Sequence, residues 1–298
     1  VTALLRSHLG KLRLVSQKIA GSNLRSPIDV VRWMTAVQAQ DFNAAKWAIG
    51  LRCPGSTHHD AEQALASGKI VRSWPMCGTL HFLAAEDLSW ILKLTSARIV
   101  NAAKAMHAAR GLTKAVIERD EALGELALRY FRSHGPATIH DFATWSSLTI
   151  ADSKIGAAVA RAQLAETQVD EKAYFLDPNV LDANLTETDA TYALASFDEF
   201  LLGYRDRDAV ITKDRMKRVV PGANGVFAPI LVRKGIVIGS WKRVIEKGAM
   251  TVTAYPFAAL TSRESADFKK AMRAYGKFFA MPVRMSADAG LAGARSQR

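Results

Sequence analysis

Twice along this chain a run of helical segments gives way to an extended stretch, and that repeated order narrows the possible folds more than any single motif. In the first pass, apolar spacing predicts helices over Leu12 to Ala20, Asp29 to Val37 and Phe42 to Leu51. Pro54-Gly55-Ser56 breaks the chain, and a short helix over His59 to Ser67 is stopped by Gly68. Val71 to Leu83 then reads as two short strands around Pro75 to Gly78. In the second pass, Glu86 to Arg110 and Lys114 to His134 read as long helices, the latter closed by Gly135-Pro136. Thr138 with Asp141 forms a capping-box pattern before the helix Ile139 to Trp145, and Thr149 with Asp152 opens Ile150 to Leu164. Gln168 to Asp177 reads as strand. Helix, short turn, helix and strand pair is the grammar of a winged helix-turn-helix.

After Asp177 the pattern changes. Tyr192 to Leu201 is apolar, and Lys213, Arg215, Lys217 and Arg218 form a basic run. Val226 to Val232, Ile236 to Arg243 and Met250 to Tyr255 alternate as three strands, with Arg233-Lys234-Gly235 and Glu246-Lys247-Gly248 as turns. A basic amphipathic helix over Arg263 to Phe279 closes the pattern. The expected fold class is therefore α+β: tandem winged helix-turn-helix units followed by a small C-terminal β-barrel or meander. The expected units are 1–85, 86–178 and 179–298.

The charge balance bears on the partner. Forty Lys and Arg against 28 Asp and Glu give +12, and the pI is near 9.8, which favours a polyanion, with duplex DNA the first candidate. The second expected recognition helix is apolar apart from Lys154 and Arg161, and lacks the Arg, Asn and Gln that read base edges. It suits scaffold more than sequence reader. Composition fits a soluble globular chain, with no apolar run long enough for a membrane span and no secretory pattern over Val1 to Leu14. Two separated cysteines, Cys53 and Cys77, point to a reducing, cytoplasmic setting without disulfides or a zinc ribbon. None of Gly10-Lys11, Gly68-Lys69 and Gly276-Lys277 precedes Ser or Thr, so there is no Walker A loop. The histidines show no metal-ligand spacing, and no metal or cofactor is expected.

One motif speaks of chemistry. In Val37-Gln38-Ala39-Gln40-Asp41 two amides flank one small residue at an expected helix-to-helix joint. In an unbroken helix the two glutamines would lie roughly 200° apart, so sharing a target requires a bend. Paired amides suit holding a water or reading a base edge; the plainer alternative is two polar residues at a helix end. Asp41 fits an N-cap better than a catalytic carboxylate.

Several stretches together resemble a known family. They are Gln38-Ala39-Gln40; Arg72 to His81 (Arg-Ser-Trp-Pro-Met-Cys-Gly-Thr-Leu-His); Gly135-Pro136-Ala137-Thr138 with Asp141-Phe142-Ala143 and Trp145; Phe197 to Arg207; and Asn224-Gly225-Val226-Phe227 with Gly239 to Arg243. They resemble the bacterial winged-helix DNA glycosylases that unhook crosslinked or otherwise alkylated bases. The resemblance implies tandem winged helices supporting a C-terminal β-barrel, with the Gln-x-Gln motif catalytic. Two positions depart from the family: Cys77 stands where an Arg is usual, and Ala39 is smaller than the usual residue.

The expectation is a monofunctional glycosylase that hydrolyses the N-glycosidic bond of cationic alkylated purines or crosslinks in base excision repair. Gln38 and Gln40 are the expected catalytic pair. Arg72, Trp74, His81, Lys213, Arg215, Lys217, Arg218, Arg233 and Lys234 are the expected DNA contacts, for a monomer acting on damaged double-stranded DNA. For His81 a core role stands beside phosphate contact. Asp198, Glu199, Arg205, Asp206 and Arg207 read as an ion-pair network. The rival is a non-enzymatic winged-helix DNA-binding protein or transcriptional regulator.

Overall fold

Ser26 and Pro27 set the first register. The computed structural model describes residues 4–102, 119–246 and 248–286. After helix α1 (Arg6–Ser16), Ser26 caps helix α2 (Pro27–Met34) by accepting the Asp29 N–H, with Pro27 at the first helical position. The helix ends three residues sooner than its apolar spacing suggests. Thr35 takes φ 66°, ψ −49°, and Ala36 N–H bonds back to Met34 O at 2.8 Å, forming a tight γ-turn. That turn swings the chain into strand β1 (Val37–Gln38). The glutamines therefore occupy a strand-to-helix joint, and Asp41 caps the next helix, α3 (Phe42–Arg52), through the Ala44 N–H at 2.9 Å.

Helix α4 (His58–Ala66) opens with a Thr57–Asp60 capping box. Strands β2 (Ile70–Met76) and β3 (Thr79–Ala84) follow, joined by Cys77 and Gly78 with φ of 54° and 64°. β3 lies between β1 and β2 in an antiparallel sheet of order β1-β3-β2.

The second block runs α5 (Ala85–Ala102), α6 (Arg119–His134), α7 (Ile139–Ser146) and α8 (Ile150–Ala160). The expected helices Glu86 to Arg110 and Lys114 to His134 meet across 103–118, which lies outside the described residues. Capping by Thr138 and Thr149 matches the sequence reading. Gly156 of α8 sits where a Cβ would come within 2.5 Å of Leu123 O, which lets α8 press closely on α6. The single strand expected over Gln168 to Asp177 is instead a hairpin, β4 (Ala165–Val169) and β5 (Lys172–Leu176). Asp170 and Glu171 form its turn with φ of 48° and 62°. Neither is a glycine, so the turn leaves no plain mark in the sequence.

Next come β6 (Thr191–Leu194), α9 (Glu199–Leu202), α10 (Lys213–Val219), β7 (Ile230–Arg233), β8 (Ile236–Glu246), β9 (Ala249–Pro256), α11 (Ser262–Phe278) and β10 (Val283–Met285). The expected barrel or three-strand meander is a five-stranded half-barrel sheet of order β10-β9-β8-β7-β6, with β10 parallel to β9 and the rest antiparallel. Its two outer strands escaped the sequence reading because β6 pairs across a long connection and β10 returns only through α11. Trp47 of α3, Trp241 of β8 and Tyr275 of α11 meet edge to face in one buried cluster, fusing the N-terminal helices to the C-terminal sheet. A second core gathers α5 to α8 with Met76, Leu83 and Tyr204. No helix among the described residues is long and apolar enough to cross a membrane.

Candidate active site

Gln38 closes strand β1, and Gln40 stands in the bend just past it, ahead of the Asp41 cap, so the two glutamines are not fixed on opposite sides of one helix. Gln38 stands opposite His81 in the β1–β3 ladder, and Ala39 N–H continues it to Leu80 O at 2.7 Å. The Gln38 side chain bonds the motif's own backbone: its Oε1 accepts the Gln40 backbone N–H at 3.2 Å. Their exposure differs, for Gln38 is 7% exposed while Gln40 is open to solvent. Gln40 Oε1 makes a long contact with Leu80 N at 3.4 Å.

Arg72 on β2 holds the segment from one side. Its Nε and Nη2 donate to Ala39 O at 3.1 and 2.8 Å, and Nη2 reaches Gln40 O at 3.4 Å. The guanidinium also lies over the Phe42 ring, 5.5 Å from its centroid. Arg72, expected as a DNA contact, thus braces the motif's own backbone.

Glu199 holds it from beneath. The sequence placed this residue in an ion-pair network with Asp198, and the structure separates the two. Asp198 takes a bidentate bond from Arg52 at 2.9 and 2.8 Å, with both side chains 1% exposed. Glu199 turns the other way. Its Oε1 accepts the Gln38 N–H at 2.9 Å, and its Oε2 accepts the Trp145 indole N–H at 3.2 Å. His134 Nε2 stands 3.5 Å from Oε2 and has no hydrogen-bond partner. An acidic residue in the first turn of a helix is ordinary near the positive end of the dipole, so nothing in the sequence marks Glu199 as buried.

His81 is buried on β3, with Nδ1 2.9 Å from Thr79 O. Burial pushes its pKa down, and the nearby Glu199 partly opposes the shift. The structure supports its core role, since a fully enclosed imidazole cannot lie on a surface phosphate. Cys77 ties the β2–β3 tip to the end of α7: its N–H donates to Ser147 Oγ at 2.8 Å, and its thiol lies 3.2 and 3.1 Å from Thr144 O and Trp145 O. Where the family usually has an arginine, this chain has a short docking contact beside Trp145.

Trp74 is 58% exposed on β2, two residues beyond Arg72. Lys213, Arg215, Lys217 and Arg218 are all exposed on α10, with Arg215 and Arg218 over the Phe257 ring. Arg233 is engaged elsewhere: it bonds Glu264 Oε1 at 2.8 Å and Asp189 O at 3.1 Å. Lys234 is exposed in the β7–β8 turn, whose Gly235 packs against Gly10 of α1. Gln38, Gln40, Arg72 and His81 thus meet at one site, while the α10 residues and Arg233 make their contacts with Phe257, Glu264 and Asp189 instead. No group of three or more His, Cys, Asp or Glu among the described residues could hold a metal ion.

This chain matches the family described as DNA glycosylase AlkZ-like over residues 31–119 and 103–278, and it belongs to that family. A curated relative, the interstrand DNA cross-link repair glycosylase of Streptomyces sahachiroi, is 30% identical over 148 residues, 47% of this chain. That match spans only 38% of the relative's length. The solved structure of the Streptomyces sahachiroi DNA glycosylase AlkZ superposes with a TM-score of 0.77 over 96% of this chain and 100% of that one. At 18% identity the superposition establishes a shared fold.

Proposed function

We propose that this protein is a monofunctional DNA glycosylase of base excision repair, acting on cationic alkylated purines or crosslinks in duplex DNA. Gln38 and Gln40 are its catalytic pair. The observation that carries this reading is the motif's geometry: two glutamines at a strand-to-helix joint, their backbone held by Arg72 and Glu199, in a chain of the AlkZ-like family.

The chemistry suits neutral amides. In an N7-alkylated guanine the base already bears a positive charge. When the C1′–N9 bond breaks, its electron pair passes to the base and neutralises it, so no general acid is required. The sugar becomes oxocarbenium-like, a water oxygen bonds to C1′, and that water's proton leaves to solvent. The protein's task is to hold the water and the extruded nucleotide, which acts through orientation. A Gln carbonyl accepts the water's hydrogen bond. Unmodified bases are poor leaving groups and are spared.

Residues 1–85 and 86–178 are read as two winged-helix units, with 179–298 as the β-rich unit of a cytoplasmic monomer. In this reading Trp74, exposed on β2, stacks on nucleic acid, and the exposed α10 cations with Lys234 meet phosphates. Helix α8 favours the enzyme over a regulator: Ser153, Gly156, Ala157 and Ala160 are buried, and it offers no Asn, Gln or Arg to a groove. The test is a duplex with one N7-methylguanine, incubated with protein and then treated with alkali. Strand cleavage at that guanine is expected. An intact strand from a duplex shown to be bound would refute the activity.

A further inference from the structure

Glu199 has too few partners for a buried carboxylate. It is 2% exposed, yet among the described residues only the Gln38 backbone N–H and the Trp145 indole donate to its side chain within hydrogen-bond distance. An ionised carboxylate offers about four acceptor sites, and burying one costs several kcal/mol unless it is closely paired. No arginine bonds it among the described residues, although Arg13 keeps a buried Nη1 without a partner. Arg52 divides its donors among Asp198, Gln17 and Ala48, and Arg13 lies over the Tyr204 ring and reaches Pro136 O.

His134 is held just short of it. The imidazole is stacked on Tyr130, with ring centroids 4.8 Å apart and planes within 13°. Gly203 lies so near that a Cβ there would come within 2.6 Å of His134 Cδ2. Asp141 adds a second buried acid near this cluster, and the Tyr130 and Tyr204 phenols are pushed upward, chiefly by burial. Among the described residues no Lys or Arg forms an ion pair with this carboxylate, and it reaches the backbone N–H of Gln38 directly.

We propose that Glu199 is the anionic positioning residue of the site: its carboxylate fixes the Gln38 backbone and sets a negative charge beneath the segment where the sugar becomes cationic. The inference rests on the glycosylase reading for the identity of that cation. Neutral amides place the water, and Glu199 supplies the charge that they lack. Its field acts across a low-dielectric interior, where a fixed charge is worth more than in water.

The test needs no excision. Two duplexes are compared by equilibrium binding, one bearing a protonated pyrrolidine abasic analogue and the other a neutral tetrahydrofuran analogue. The parent is expected to prefer the pyrrolidine duplex by about thirtyfold, the size of a unit charge pair at roughly 8 Å and an effective dielectric near 20. Glu199→Gln, nearly isosteric and neutral, should bind both duplexes equally. Glu199→Asp keeps the charge and should retain most of the preference, although its shorter side chain draws back from the Gln38 amide and slows excision. A purely structural role would weaken both duplexes alike and leave their ratio unchanged.

A parent without the preference, or a Glu199→Gln protein that keeps it, overturns the proposal. If Glu199→Gln does not fold, loss of the preference in Glu199→Asp overturns it, and retention supports it. A parent that shows the preference but never releases N7-methylguanine leaves the Glu199 assignment standing and removes the glycosylase reading instead.

Discussion

Gln38 and Gln40 lie two residues apart and are not equivalent. Gln38 is enclosed, its backbone N–H donating to Glu199 and its side-chain carbonyl accepting the Gln40 backbone N–H, whereas Gln40 faces solvent. Replacing either with Met, similar in shape but without the amide, should slow single-turnover excision of N7-methylguanine by roughly two to three orders of magnitude, about 2.7–4 kcal/mol. The double variant should be little worse than the poorer single one, because the two share one task. Non-specific duplex affinity should hardly move, since neither side chain is charged. Parental rates in both single variants would remove the glutamines from the mechanism. At this scale the sequence exposed the capping Asp41, whose type announces its role, and singled out the glutamine pair by its spacing. It hid those whose role comes from their surroundings. Thr35 bends the chain at positive φ where a glycine would be expected, and that conformation costs of order 1–3 kcal/mol. Glu199 is the same case in electrostatic form.

Elements were legible where they carry local signals. Asp41, Thr138 with Asp141, and Thr149 before Asp152 all cap helices in the structure, as their sequence pattern indicates. β1, the β4–β5 turn and the outer strands β6 and β10 depend on partners distant in sequence or on turns without glycine, so local pattern could not reveal them. Two predictions belong here. The first concerns α3 and α9, which are clamped together by Arg52 and Asp198. Asp198→Asn leaves the guanidinium buried with a neutral partner, and urea unfolding should show a loss of about 3–5 kcal/mol. A loss near zero would mean that water reaches Arg52 when its acid is gone. The second separates two basic elements that sequence alone could not tell apart. Changing the four cations of α10 to Gln should flatten the dependence of log K on log salt by roughly 0.9 for each phosphate that is no longer neutralised. Arg233→Gln should instead lower stability, because it breaks the bond to Glu264. A flattened salt slope with unchanged stability in Arg233→Gln would reverse that assignment.

For the whole molecule, the net charge of +12 belongs to a scaffold whose helices are largely committed to packing. α8 presses Gly156, Ala157 and Ala160 into the protein, and its exposed residues include Ile155 and Val159, which make no hydrogen bonds to base edges. Attraction to DNA then comes chiefly from bonds to phosphates, which are indifferent to base order. Each neutralised phosphate releases a counterion from the duplex, so log K should fall with log salt by about 0.9 per phosphate. The expected outcome is duplex affinity that drops steeply between low and physiological salt, with the same slope for unrelated sequences of equal length. A cationic lesion should add its selectivity at the Gln pair, on top of this background. Filter binding or fluorescence anisotropy across a salt series, on two scrambled duplexes and one carrying N7-methylguanine, measures both contributions. An affinity insensitive to salt and confined to one sequence would show that base edges are being read after all, and would return the molecule to the regulators.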